Sequence, residues 1–212
     1  RGTPTLVGDR LYTEGGNGDV TCLDAATGKT LWYKSLVDDF GGKRPGWGYS
    51  ESPLVDGDLV FVTPGASSGT LVALNKESGS TVWSSTAVTQ GAHYASPVLA
   101  TIQGRKQVVQ FGRESMFGVA EDGGASLWSY KNAANGTANC STAIVDGNYV
   151  LASSAYGTGG GLAEISVGDG GQQSKEIWFE KKLANHHGGL VKVGDHVYGF
   201  GTGGLICIHF LT

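Results

Sequence analysis

The phrase Leu23-Asp24-Ala25-Ala26-Thr27-Gly28-Lys29-Thr30-Leu31-Trp32 returns in altered form as Leu74-Asn75-Lys76-Glu77-Ser78-Gly79-Ser80-Thr81-Val82-Trp83 and Val119-Ala120-Glu121-Asp122-Gly123-Gly124-Ala125-Ser126-Leu127-Trp128. With Trp178, the tryptophans of this series fall 51, 45 and 50 residues apart. A period of this size marks a tandem array of one supersecondary unit. A second anchor keeps the period. Pro4-Thr5-Leu6-Val7-Gly8-Asp9-Arg10-Leu11-Tyr12 aligns with the stretches opening at Pro53, Ala143 and Leu190, and Pro97-Val98-Leu99-Ala100 opens another copy with a longer turn through Gly104-Arg105-Lys106.

Each unit reads as four short strands. An apolar strand passes through a Gly-Asp or Gly-Asn turn into a second. A Gly-rich loop follows, such as Gly15-Gly16-Asn17-Gly18 or Gly157-Thr158-Gly159-Gly160-Gly161. A third strand then enters the Asp-x-x-Thr-Gly turn, and the fourth carries the Trp. Apolar residues alternate or form short runs without a 3.6-residue period, so no helix is expected. The expected class is all-β: a β-propeller of four-stranded antiparallel blades. In that fold the indole fills the gap between neighbouring sheets. Asp24 and Asn75 brace a turn through their own backbone, and the Gly of Thr-Gly supplies a left-handed residue. None of these repeated residues is read as catalytic.

Composition agrees. Gly is 36 of 212 residues, about 17% against a usual ~7%. Charged residues are 16%, the formal net charge is −4, and Lys and Arg are scattered, which argues against a nucleic-acid footprint. No apolar run approaches the ~18 residues of a membrane span. Cys22, Cys140 and Cys207 are read as buried small residues rather than disulfide partners.

Counting strands gives four complete blades, at about 4–34, 53–84, 97–130 and 143–180, and a partial fifth over 190–208, in one propeller segment covering 1–212. Open ends would leave unpaired edges and apolar faces. The expectation is an interior stretch of a longer propeller, or two chains that complete one ring together. The pattern is already running at Arg1, so the natural N-terminus is expected to lie outside this sequence.

The Asp-Ala-x-Thr-Gly-Lys-x-x-Trp phrase at 24–32 resembles the repeat of pyrroloquinoline-quinone-type (PQQ-like) propellers. That superfamily includes quinoprotein alcohol dehydrogenases and outer-membrane assembly lipoproteins. Gly46-Trp47-Gly48-Tyr49-Ser50-Glu51-Ser52-Pro53 and Asn185-His186-His187-Gly188-Gly189 look like segments of such proteins in environmental bacteria. The resemblance covers essentially the whole chain. It implies a ring of about eight blades, a periplasmic or extracellular location, and a binding or scaffold module whose partner is a small-molecule ligand or an envelope protein. The alternative it implies is a PQQ-dependent alcohol or sugar dehydrogenase with quinone and Ca²⁺. Two departures count against that alternative: no vicinal Cys-Cys pair occurs, and the family's catalytic Asp and full calcium ligand set find no matching positions.

Function is sought where the repeats disagree. The residues just before each first strand should gather at one mouth of a central channel, and they are rich in chemistry: Arg44, Trp47, Tyr49 and Glu51; His93 and Tyr94; Asn135, Asn139 and Cys140; Asn185, His186 and His187. One reading makes Trp47 or Tyr49 a platform for a planar ligand, Arg44 a carboxylate clamp, and Glu51 with Asn139 or Asn185 oxygen ligands for Ca²⁺. Another makes His93, His186, His187 and Glu51 a transition-metal cluster. A third, purely structural, has these groups hydrogen-bond channel water and neighbouring backbone.

Overall fold

Gly8, Gly57, Gly147 and Gly194 each take the first central place of a two-residue hairpin, with φ of 59°, 53°, 57° and 54°. Glycine at this place is what a II′ turn requires, and the turn's twist matches that of the strands it joins. In the computed structural model, which describes residues 2–212, these turns start antiparallel sheets of strands in chain order. No helix occurs among the described residues.

The chain forms two compact units. The first, Arg1–Pro97 with Gly123–Ala125, holds two four-stranded sheets. One is β1 (Thr5–Val7), β2 (Arg10–Glu14), β3 (Asp19–Asp24) and β4 (Thr30–Ser35); the other is β5 (Leu54–Asp56), β6 (Leu59–Val62), β7 (Val72–Asn75) and β8 (Thr81–Ser84). The second unit, Val98–Asp122 with Ser126–Thr212, holds three sheets. These are β9 (Val98–Ile102) to β12 (Ser126–Tyr130) through β10 (Arg105–Phe111) and β11 (Met116–Ala120); β13 (Ile144–Asp146) to β16 (Gly171–Glu180) through β14 (Tyr149–Ser154) and β15 (Gly159–Gly168); and the three-stranded β17 (Leu190–Val193), β18 (His196–Gly201) and β19 (Gly204–His209).

The repeated phrase is the joint between neighbouring sheets. The Asp24 carboxylate accepts from the Thr27 amide at 2.7 Å and its hydroxyl at 2.6 Å, and the Asn75 amide oxygen accepts from the Glu77 and Ser78 amides at 3.0 Å. The Asn75 bonds hold the turn whose Lys76 carbonyl receives the Trp32 indole N–H at 2.8 Å. Gly79, at φ 70°, makes room for that ring: a Cβ there would stand 2.8 Å from it. Gly124 makes the same accommodation for Trp83. Trp32 thus lies in a core with Tyr12, Val20 and Cys22 of its own sheet and Val60, Val72 and Leu74 of the next.

The structure adds a feature the repeat did not announce. In each four-stranded sheet the register slips immediately before the Trp, leaving Leu31, Val82, Leu127 and Ile177 without a cross-strand partner. An inserted residue of this kind bends a strand and re-aims the side chain beside it, here the indole.

Two readings need correction. The stretch 157–161 is not all loop, because β15 starts at Gly159. Its glycines serve packing: a Cβ at Gly161 would collide with the Tyr130 hydroxyl, and one at Gly160 would come within 2.6 Å of Leu183. The same sheet also lacks the short bracing turn, since β15 and β16 pair as a long hairpin out to Gly168 and Gly171. Nor are all three cysteines buried. They are free thiols, with Cys22 buried, Cys140 half-buried and Cys207 exposed. Cys22 opposite Tyr12 and Cys207 opposite Tyr198 hold the same place in their sheets. A neighbouring sheet covers the first pair, and among the described residues none covers the second.

Replacing Trp32 with Ala should lower unfolding free energy by about 3–5 kcal/mol, measured by urea denaturation. Gly79→Ala should also destabilise, through ring contact and a left-handed backbone, while Leu31→Ala at the exposed bulge should cost far less.

Candidate functional site

The segments that precede the first strands are stitched together. In the first unit the Thr3 amide donates to the Ser52 hydroxyl, and the Ser52 amide to the Ser96 hydroxyl, both at 2.9 Å. Each of these residues stands just before a proline: Pro4, Pro53 and Pro97. Ser50 Oγ also donates to the Tyr94 carbonyl at 3.2 Å. Side chains about 45 residues apart are therefore held side by side on rigid backbone.

This brings Trp47, Tyr94 and His93 together. The Trp47 and Tyr94 rings lie 5.7 Å apart and tilted by 54°, and His93 stacks on Tyr94 at 5.3 Å and 22°. His93 is buried, Tyr94 half-buried and Trp47 54% exposed, so the row ends in an indole open to solvent. Arg44, on the same loop, is exposed and donates to Asn17 Oδ1 at 2.7 Å. Tyr49 and Glu51 do not join this surface. Tyr49 is buried, its hydroxyl donating to the Pro64 carbonyl at 3.0 Å, and buried Glu51 accepts from the Thr63 amide.

In the second unit the two asparagines work as loop staples. Asn139 Oδ1 accepts from the Asn135 amide, and its Nδ2 donates to the Gly112 and Arg113 carbonyls. Asn185 Oδ1 accepts from Ser141, and its Nδ2 donates to the Gly189 and Phe200 carbonyls. Cys140 is half-buried, and burial pushes its thiol pKa up. His186 and His187 are exposed and stacked, centroids 3.6 Å apart, with His186 Nε2 3.0 Å from the Tyr156 hydroxyl. Tyr156, which the repeat comparison passed over, holds φ at 56° in a region side chains rarely adopt.

Sequence reasoning also passed over Glu14. It is buried at the end of β2, and neither carboxylate oxygen has a well-formed hydrogen bond among the described residues. Glu51 faces it with both its backbone N–H and its carboxyl, and a bond to the carboxyl requires a proton on one of the two acids. Burial, then the Glu51 charge, hold the Glu14 carboxyl well above its ordinary range. Burial, followed by both carboxyls, likewise raises the neighbouring Tyr49 phenol. Counting from the hairpin turns puts Thr63, just past β6, Ser153 of β14 and Phe200 of β18 at the place of Glu14. A charged residue at a position that other sheets fill with small hydroxyls or apolar side chains was the available signal.

Residues 1–210 match the family of the outer membrane protein assembly factor BamB. The chain belongs to this family. BamB of Burkholderia pseudomallei strain K96243 is 30% identical over 139 residues, which are 62% of this chain and 30% of that protein. The crystal structure of BamB from Moraxella catarrhalis superposes with a TM-score of 0.68 at 23% identity, covering 100% of this chain and 58% of that one. The chain therefore spans well under two thirds of either relative. A quinohemoprotein alcohol dehydrogenase, ADHIIG of Pseudomonas putida HK5, matches with a TM-score of 0.52 at 14% identity over 100% of this chain and 32% of its own. The two structural matches speak to fold: an all-β propeller architecture.

The residues present fit a quinone–calcium site poorly. The oxygens it would need on Asn139, Asn185 and Glu51 already accept hydrogen bonds from Asn135, Ser141 and Thr63. No group of three or more His, Cys, Asp or Glu placed to hold a metal ion occurs among the described residues.

The buried acid pair makes stability depend on pH. A carboxyl whose folded pKa is raised contributes its full stability below the unfolded value of about 4.3, and loses it as pH rises toward the folded value. Urea midpoints should therefore fall from pH 5 to pH 8. Glu14→Gln should flatten that fall and raise stability at pH 8 by at least about 1 kcal/mol; an unchanged pH profile would mean the pair is not strained.

Proposed function

We propose that this chain is part of a partner-binding scaffold of the bacterial cell envelope, engaged in outer membrane protein assembly on the periplasmic side. Family membership supports the scaffold reading. The observation that carries the site is the solvent-open Trp47 indole seated on Tyr94, with Arg44 on the same loop. Tryptophan, tyrosine and arginine dominate binding energy at protein interfaces, because each offers a large contact area with a polar handle. Loops carried on a rigid sheet scaffold are where such function concentrates.

A photo-cross-linking amino acid at Trp47 or Arg44, in the protein expressed in its native envelope, should capture an outer membrane assembly component. The same group at exposed Thr101 serves as the control. Equal capture at all three positions, or none, overturns the assignment of this loop. For the rival dehydrogenase reading, pyrroloquinoline quinone with Ca²⁺ should give no saturable absorbance change and no dye reduction with alcohols or sugars.

We also propose that the exposed face of β17–β19 is a joint for further propeller sheet, whether from a longer chain or a second copy. Phe200 is 66% and Leu205 70% exposed, and Tyr198 and Cys207 beside them hold the place that Tyr12 and Cys22 occupy under a neighbouring sheet. The 212-residue chain by itself should associate in light scattering. The double substitution Phe200→Ser and Leu205→Ser should reduce that association, and a well-behaved monomer would contradict the proposal.

A further inference from the structure

The loop between β4 and β5 is fixed at both ends before it presents anything to solvent. The Gly41 amide bonds the Val37 carbonyl and the Gly42 amide the Leu36 carbonyl, each at 2.9 Å. On the far side, Gly48 bonds Pro45 at 2.8 Å and Tyr49 bonds Gly16 at 3.0 Å. Gly42 and Gly48 have no room for a Cβ, because backbone carbonyls of Leu36 and Pro64 crowd the first and that of Gly16 the second. A loop held this way loses little further freedom when a ligand binds.

What it presents is basic and aromatic. Lys43, Arg44 and Trp47 are all exposed. Arg44 is held by a neutral amide, and neither cation forms an ion pair with a carboxylate among the described residues. Arg10, Lys34 and Lys76, on the same unit, each sit against an acid. Two exposed acids also lie on this loop, held at the end of β4: Asp38 accepts from the Ser35 hydroxyl and Asp39 from the Ser35 amide. Two adjacent cations without an ion pair among the described residues thus precede an indole on the same loop.

From this we infer that the loop's occupant is an acidic, extended peptide segment of a partner protein, its carboxylates on Lys43 and Arg44 and an apolar or aromatic side chain on Trp47. The inference rests on reading this loop as the partner-binding surface. Carboxylates match a guanidinium bidentately, and an indole rewards a flat or branched apolar side chain. Two cations are too few for the phosphate array of a nucleic acid.

The test is a fluorescence-anisotropy titration of the 212-residue chain at low salt with three labelled dodecapeptides. One alternates Glu and Asp around a central Phe, one replaces every acid with Gln, and one replaces Phe with Gly. The first should bind saturably and weaken steeply with added salt. Lys43→Gln with Arg44→Gln, or Trp47→Ala, should each weaken it about tenfold, the effect of losing one interface anchor. Trp47→Phe should retain most of the affinity, and unchanged far-ultraviolet circular dichroism would show that the exposed substitutions leave the fold intact. Equal binding of the acid and Gln peptides, lost in Trp47→Ala, overturns the acidic partner while sparing the loop as a binding surface. Indifference of every peptide to Trp47→Ala removes both. Tight binding of anionic vesicles or duplex DNA in place of the acidic peptide also overturns the inference.

Discussion

The arrangement depends on one contact: an indole N–H from the fourth strand of one sheet bonded to a backbone carbonyl in the bracing turn of the next. Trp32 on Lys76 is the clearest case. The contact explains why Trp, Asp or Asn, and Gly travel together in the repeat. The Asx side chain holds the turn so that its carbonyl faces outward, the left-handed Gly leaves space for the ring, and the bulge before the Trp aims it. Burying most of an indole while satisfying its one donor removes the usual cost of a large amphipathic side chain in a core. The exception supports the rule. Where the long β15–β16 hairpin replaces the bracing turn, Trp128 bonds Gln107 in its own sheet, and a relay of Gln107, Gln172 and the Ile102 carbonyl joins the sheets.

With sheets joined at their outer parts by indoles and at their inner ends by Ser52 and Ser96, the connecting segments have little freedom left. A tryptophan on such a segment stays exposed because the scaffold gives it nowhere to fold back. The candidate surface of the first unit is the consequence: Trp47 projects, while Tyr49, only two residues on, is drawn inward to the Pro64 carbonyl. Neighbouring aromatics in one segment thus play opposite parts.

The acid pair at Glu14 and Glu51 runs against this economy. At the equivalent place in β14, Ser153 satisfies itself by donating to the Leu183 carbonyl. Glu14 needs a proton shared with Glu51 to be comfortable where it is. Such a group is costly in a static scaffold, and it ties the first two sheets to the acidity of their surroundings.

Fold class, strand order and the structural part played by the repeated residues were legible in the sequence, because a tandem repeat restates the same local physics several times. Turn glycines, Asx braces and alternating strands act over a few residues, and so can be read from a few residues. The candidate site was legible only as a set of segments. Which of Trp47 and Tyr49 faces solvent, that Asn139 and Asn185 are consumed by backbone, and that Glu14 meets Glu51 depend on contacts across 15 or more residues of chain. The bulge beside each Trp belongs to the same class, since register is a property of two strands and neither states it alone. Exposure was the least legible quantity: Cys22 and Cys207 are equivalent in sequence, and only the presence or absence of a neighbouring sheet separates a buried thiol from an exposed one.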